Sequence, residues 1–166
     1  MSGSVVIGLG NPLMGDDGFG LVALALLRDR WTVDGVELAD GGTWGMSLLP
    51  LVEDADRVLL LDAIAAGAPP GTVVILERRQ LPIYLSRKLS PHQVDMRDVL
   101  AAAEWRGRLP SETVAIGAQP QSVELGIGLS AALDAAVEAT VDAVVARLRD
   151  WGHRCVPLAG LASCTK

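Results

Sequence analysis

Two aspartates and a histidine occupy positions from which their side chains could bind a metal ion. Asp17 follows a glycine-rich loop, Asp62 directly follows an apolar run, and His92 is placed at the start of a helical stretch. Two carboxylates and one imidazole suit a borderline divalent metal and leave coordination positions open. The sequence therefore predicts a weak, open metal site formed by Asp17, Asp62 and His92.

Two further aspartates are candidates for general acid or base chemistry. Asp16 directly precedes Asp17, and one of these carboxylates is expected to cap the first helix. We expect Asp16 to be the cap and Asp17 to point into a cleft. Asp40 begins the turn Asp40-Gly41-Gly42-Thr43. No Gly-x-Ser-x-Gly pattern is present, so water is the expected nucleophile of any hydrolysis.

Each of these residues also has a structural interpretation. Asp62 can accept a hydrogen bond from a loop amide, and His92 can be a surface residue at a helix start. Asp16 and Asp40 can be cap and turn residues. The pair Gly8 and Gly10 is typical of a dinucleotide loop, but Leu13 stands where that motif has its third glycine, which disfavours the cofactor.

Alternating strand-like and helix-like segments are expected to position these residues. Predicted strands cover Val5–Leu9, Val36–Ala39, Val58–Leu61, Thr72–Leu76 and Thr113–Gly117. Predicted helices begin at Phe19, Gly45, Ser90 and about Leu133. The first has an apolar stripe of Phe19, Val22, Ala23 and Leu26, and the third has one of Met96, Val99, Leu100 and Ala103. The apolar strands predict a three-layer α/β sandwich, a mainly parallel sheet with helices on both faces. Thr72–Leu76 is the candidate antiparallel strand.

Length and charge narrow the protein class. The 166 residues predict one domain over 1–151 and a tail over 152–166. A formal charge of −6 disfavours nucleic acid as a partner. No apolar run reaches the roughly 18 residues of a membrane span, and no signal peptide is recognisable. We expect a cytoplasmic monomer without a disulfide framework.

The motifs together resemble one known family, the maturation endopeptidases of nickel-iron hydrogenases. The matching segments are Gly8-Leu9-Gly10-Asn11, Gly15-Asp16-Asp17-Gly18-Phe19-Gly20, Asp40-Gly41-Gly42-Thr43, Leu61-Asp62-Ala63, Ser90-Pro91-His92-Gln93 and Gly117-Ala118-Gln119-Pro120. They occur in the family's order and spacing over about residues 5 to 150. The resemblance implies a twisted five-stranded sheet between helices.

The resemblance also implies a function. Such enzymes remove a C-terminal extension from the hydrogenase large subunit after nickel insertion. Their metal-contacting positions correspond to Asp17, Asp62 and His92, and Asp40 corresponds to a position proposed to act in cleavage or substrate contact. The nickel would be supplied by the substrate, and zinc or cadmium could replace it in vitro.

The motifs allow three alternatives to this function and its mechanism. A non-catalytic, nickel-sensing chaperone of the large subunit would use the same ligands. The segment Val6-Ile7-Gly8-Leu9-Gly10-Asn11-Pro12 also resembles the start of the peptidyl-tRNA hydrolases, which are esterases. The negative net charge of this chain disfavours binding of RNA. In an endopeptidase, nickel could activate water as a Lewis acid, or could only dock the substrate while Asp40, or Asp16 behind it, acts as general base.

Overall fold

The computed structural model describes residues 3–82 and 93–158. Its strands are β1 (Ser4–Leu9), β2 (Trp31–Val33), β3 (Val36–Gly42), β4 (Arg57–Ala63), β5 (Val73–Glu77), β6 (Glu112–Ala118) and β7 (Cys155–Pro157). Its α-helices are α1 (Phe19–Arg30), α2 (Leu49–Asp54), α3 (Gln93–Trp105) and α4 (Ala131–Asp150). Short 3-10 helices cover Gly15–Gly18, Gly45–Leu48 and Arg78–Gln80.

Five of these strands form one sheet in the order β3-β1-β4-β6-β5. The first four run parallel, and β5 pairs antiparallel with β6. The antiparallel strand was predicted from the short connection after β4, although it lies beside β6 and not beside β4. Because β1, β3, β4 and β6 are parallel, their carboxyl ends meet at one edge of the sheet.

Alternate residues of the central strands pack into two separate hydrophobic clusters. On one face, Val6, Leu59 and Ile116 pack with the apolar stripes of α1 and α4. On the other face, Ile7, Leu60 and Ala115 pack with α3 and the α2 region. A sheet buried on both faces requires apolar residues at successive positions, which explains the uninterrupted apolar runs. The predicted three-layer α/β fold is confirmed.

The helices confirm most of the predicted packing stripes. In α4 the buried residues are Leu133, Ala136, Val137, Thr140, Val141, Val144, Val145 and Leu148, as the periodicity predicts. In α1 the buried stripe is Phe19, Gly20, Ala23, Leu24 and Leu27, and Val22 is 41% exposed. Phe19 and Ala23 are buried as predicted, and Leu26 is half-buried against the same cluster. The prediction that Val22 belongs to the stripe is wrong, because the buried face is centred on Ala23, Leu24 and Leu27.

Two other predicted segments differ from the structure. The helix expected from Gly45 is divided into a 3-10 turn and α2. Residues 155–157, which were predicted to belong to a tail, form β7 and pair antiparallel with β2. Pairing continues beyond the strand, since the amide of Leu158 donates to the carbonyl of Arg30 at 2.8 Å. Among the described helices, none is long and apolar enough to span a membrane.

Candidate functional site at the carboxyl edge of the sheet

Strand register brings the predicted acidic positions to the same edge of the sheet. Gly8 of β1 lies beside Asp40 of β3 on one side and Leu61 of β4 on the other. Asp62 follows Leu61 and lies beside Gly117 of β6. The 3-10 turn that carries Asp16 and Asp17 packs against β4. Asp17, Asp40 and Asp62 thus share one end of the sheet, as their positions after successive strands predict.

Asp62 is buried at the end of the central strand β4. The residue is 2% exposed, and its Oδ1 accepts a hydrogen bond from the Ala63 amide at 2.8 Å. A carboxylate held in this way is partly removed from water and needs polar or cationic partners. Its position suits a metal ligand, although the bond from the next residue of β4 already gives Oδ1 a partner within the strand.

Asp17 is completely buried, and its two carboxylate oxygens have different surroundings. Oδ2 accepts a hydrogen bond from the amide of Asn11 at 2.9 Å. Oδ1 is buried and has no hydrogen-bond partner among the described residues. An unsatisfied buried oxygen is costly unless something else meets it. This oxygen is the feature of the described site that most clearly fits a cation, and Asp17 is less open to solvent than the predicted cleft position implies.

Asp16 contacts a different part of the chain from the one predicted. Its carboxylate accepts hydrogen bonds from the amides of Gln121, Ser122 and Ser130 and from the Ser130 hydroxyl. In the described structure its side chain caps neither the 3-10 turn that contains it nor α1, so the predicted cap is wrong. The reason is that the loop before α4 offers four donors to a carboxylate that is 1% exposed.

These donors also determine the acidity of Asp16. Burial raises the pKa of its carboxyl, but the hydrogen bonds from Ser130, Gln121 and Ser122 together outweigh burial, and the pKa lies below its usual value. A general base must take up a proton, and a carboxylate whose charged form is stabilised in this way is a weak acceptor. The geometry therefore favours a structural role for Asp16 over the catalytic one considered from the sequence.

Asp40 is the exposed carboxylate of this edge. It lies near the end of β3, where the pairing with β1 shifts register between Gly8 and Leu9. The two loops beyond these strands touch, since the amide of Gly10 donates to the carbonyl of Gly42 at 3.1 Å. Asp40 is therefore open to water and adjacent to the strand that leads to Asp17, as a general base acting on water would need to be.

The third predicted ligand, His92, lies outside the residues that the structure describes, together with Ser90 and Pro91. Within 3–82 and 93–158, no group of three or more His, Cys, Asp or Glu side chains is arranged to hold a metal ion. The described ligand candidates are thus Asp17 and Asp62, and a complete three-residue set remains a prediction.

Two glycines of the sequence motifs allow backbone contacts at the site. Gly10 has φ of +118°, and a Cβ there would lie 1.7 Å from the carbonyl oxygen of Asp17. A Cβ on Gly117 would lie 1.8 Å from the carbonyl oxygen of Asp62. No side chain fits at these distances. In this chain Gly10 thus serves close packing against the residues that carry the site.

Two polar residues contribute to the site in ways that sequence reasoning did not identify. Ser130 caps α4 and donates to Asp16, and its position just before a strong helical stripe was the available signal. Gln119 was noted only as part of a motif. Its Oε1 accepts hydrogen bonds from the amides of Ala66, Gly67 and Ala68, which ties the loop after β4 to the end of β6.

Solved structures with the same architecture cover nearly the whole chain. The hydrogenase maturating endopeptidase HybD from Escherichia coli superposes with a TM-score of 0.88 at 36% identity, over 93% of this chain and 97% of that one. The [NiFe] hydrogenase maturation protease HybD from Thermococcus kodakarensis gives a TM-score of 0.69 at 27% identity, over 88% and 99%.

Sequence comparisons agree with these structural ones. The profile of the HycI family, described as hydrogenase maturation protease, matches residues 22–147. Hydrogenase 2 maturation protease of Escherichia coli is 36% identical over 155 residues, which are 92% of this chain and 94% of that protein. Hydrogenase expression/formation protein HoxM of Cupriavidus necator is 40% identical over 156 residues, 92% of this chain and 77% of that protein.

Proposed function

Because this chain belongs to the hydrogenase maturation proteases, which are endopeptidases, we propose that it processes a nickel-iron hydrogenase large-subunit precursor. In this proposal the enzyme removes a C-terminal extension after nickel has been inserted. The observation that carries it is the buried Asp17 Oδ1, which lacks a partner among the described residues at the sheet edge that also carries Asp62 and Asp40.

In this proposal nickel is part of the substrate. Asp17, Asp62 and His92 would contact the ion while it is bound in the precursor, and zinc or cadmium would replace it in vitro. Carboxylates and imidazole are suitable ligands for these metals. Burying two carboxylates against a protein partner is costly unless a cation compensates their charge. A precursor without nickel would therefore bind poorly, and the ion would act as a checkpoint for processing.

Asp40 is our candidate for the general base. It would take a proton from water as the water oxygen attacks the carbonyl carbon of the scissile peptide bond. When the C–N bond breaks, the same group would return the proton to the leaving amine. Asp40 is open to solvent, whereas both Asp16 oxygens already accept hydrogen bonds. The alternative assigns activation of water to nickel as a Lewis acid.

Exposed apolar side chains on the surrounding loops support a protein substrate. On the loops that follow the parallel strands, Leu13 is 56%, Trp44 68%, Leu125 84% and Ile127 91% exposed. The backbone contact between Leu13 and Gly126 brings the first loop beside the residues that flank Gly126. Apolar residues grouped in this way are typical of surfaces that bind another protein.

Single-turnover cleavage of nickel-loaded precursor, with precursor binding measured separately, tests these assignments. We expect Asp40→Asn to bind the precursor normally and to lose cleavage, whereas Asp17→Asn, Asp62→Asn and His92→Ala should lose binding and cleavage together. Asp142→Asn, which changes an exposed aspartate of α4, is the matched control.

Other outcomes of this experiment would overturn parts of the proposal. Substantial turnover by Asp40→Asn would assign the activation of water to nickel. Unchanged cleavage by both Asp62→Asn and His92→Ala would contradict both versions of the mechanism. Binding of the nickel-loaded precursor by the unaltered protein, without cleavage, would instead identify a nickel-sensing chaperone.

A further inference from the structure

The loop before Asp16 and the loop before α4 are bound together through their backbones. The amide of Gly15 donates to the carbonyl of Gly126 at 2.8 Å, and the amide of Gly126 donates to Leu13 at 2.9 Å. The amide of Asp16 donates to the carbonyl of Ser122 at 3.1 Å. The position of the turn that carries Asp17 therefore depends on a segment more than 100 residues later in the sequence.

The Asp16 side chain completes this contact from inside the protein. Oδ1 accepts from the Ser130 amide at 2.7 Å, and Oδ2 accepts from the Gln121 amide at 2.8 Å, the Ser122 amide at 3.1 Å and the Ser130 hydroxyl at 2.9 Å. A helix cap needs a single accepted bond. Four donors arranged around one buried carboxylate fix both its position and the direction of the turn.

Asp17 is held from the other side by the loop that follows β1. Its Oδ2 accepts from the Asn11 amide at 2.9 Å, and Gly10 packs against its carbonyl. Between these two fixed contacts, Oδ1 is buried without a partner among the described residues. The direction in which this oxygen points therefore depends on the backbone of Asp16.

We propose that Asp16 is a positioning residue, which orients the buried Oδ1 of Asp17 by binding its turn to residues 121, 122 and 130. This inference rests on the proposed function to the extent that Asp17 contacts the nickel of the precursor. Residues that orient metal ligands typically change metal affinity by about 10- to 100-fold when they are replaced. Asp16 would thus affect substrate binding through Asp17 and would transfer no proton itself.

A double-mutant cycle separates positioning from general loss of stability. Asp16→Asn should weaken binding of nickel-loaded precursor by about tenfold or more in the unaltered background. The residual precursor binding of Asp17→Asn, measured at high enzyme concentration, should change little when Asp16→Asn is added, because the carboxylate charge that Asp16 positions is already removed. Equal weakening in both backgrounds would overturn the proposal, as would normal binding with lost cleavage, which would make Asp16 a catalytic base.

Ser130 provides a milder variant in case Asp16→Asn does not fold. Ser130→Ala removes one donor to Asp16, and we expect it to weaken precursor binding. This effect of Ser130→Ala should again be absent in the Asp17→Asn background. Ser130→Thr keeps the hydroxyl and should restore binding. The effect of Ser130→Ala on α4 capping is independent of Asp17, so a loss that persists in the Asp17→Asn background would contradict positioning.

Amide hydrogen exchange at Asn11 tests the inference without any substrate. Its amide donates to Asp17, so release of the Asp17 side chain should speed exchange in Asp16→Asn and Ser130→Ala by about tenfold. Asp142→Asn is the control that removes an exposed carboxylate. Unchanged Asn11 exchange in both variants would overturn the positioning role. Failure of the unaltered protein to bind or cleave precursor would instead overturn the proposed function.

Discussion

Adjacent aspartates can serve different purposes, and the partners of each side chain distinguish them. Asp16 uses both oxygens for hydrogen bonds within the protein, whereas Asp17 uses one and leaves the other buried without a partner among the described residues. The sequence predicted that the pair divides its roles. It could not predict the partners of Asp16, because Ser130 lies 114 residues away and only the folded chain brings it near.

Gln119 is expected to stabilise the site by holding the loop after β4. Replacing it by alanine removes the acceptor for three amides, at 2.7, 3.0 and 3.3 Å, from Ala66, Gly67 and Ala68. We expect Gln119→Ala to lower the free energy of unfolding by about 1–3 kcal/mol. Urea denaturation measures this change.

Two variants control the Gln119 experiment. Gln119→Glu keeps an acceptor at this position and should lose less stability. Gln121→Ala changes an exposed neighbour that contributes only its backbone amide to the site, and should be nearly neutral. A Gln119→Ala protein as stable as Gln121→Ala would show that the three amide contacts do not stabilise the fold.

Helices and strands with strong periodicity were predicted correctly, whereas short or weakly periodic segments were not. The stripe of α4 and the apolar runs of β1 and β4 follow from burial on defined faces, which a sequence encodes directly. The ribbon of β2 and β7 is three residues long in each strand, too short for a pattern. In α1, Val22 was wrongly predicted to be buried, because it also fits a helical stripe with Phe19 and Leu26.

The contact between β4 and β6 at the site depends on a glycine. In Gly117→Ala the new Cβ would lie 1.8 Å from the Asp62 carbonyl oxygen, so the strands must separate. We expect a loss of about 2–3 kcal/mol in the free energy of unfolding, together with weaker precursor binding through Asp62. Chemical denaturation and a binding titration measure the two effects.

Gly126→Ala is the matched control for this substitution. The nearest atom to its new Cβ would lie 4.0 Å away, and we expect a change below about 0.5 kcal/mol. If both alanine variants unfold at the same urea concentration, close packing at Gly117 is not what positions Asp62.

Exposed apolar residues and carboxylates occur at the same end of the sheet. We expect Ile127→Ser, at a position 91% exposed, to weaken precursor binding by about five- to tenfold without loss of stability. Trp105→Ser, at an equally open position at the end of α3, is the control and should leave binding unchanged. Equal binding by both variants and the unaltered protein would place the docking surface elsewhere.

Processing by this enzyme should depend on nickel, and single-turnover cleavage measures that dependence most directly. Purified nickel-loaded and nickel-free precursor are each mixed with excess enzyme, and mass spectrometry follows loss of the C-terminal extension. We predict cleavage at one peptide bond in the nickel-loaded precursor and none in the nickel-free one. Equal cleavage of both precursors would contradict recognition of nickel through Asp17, Asp62 and His92.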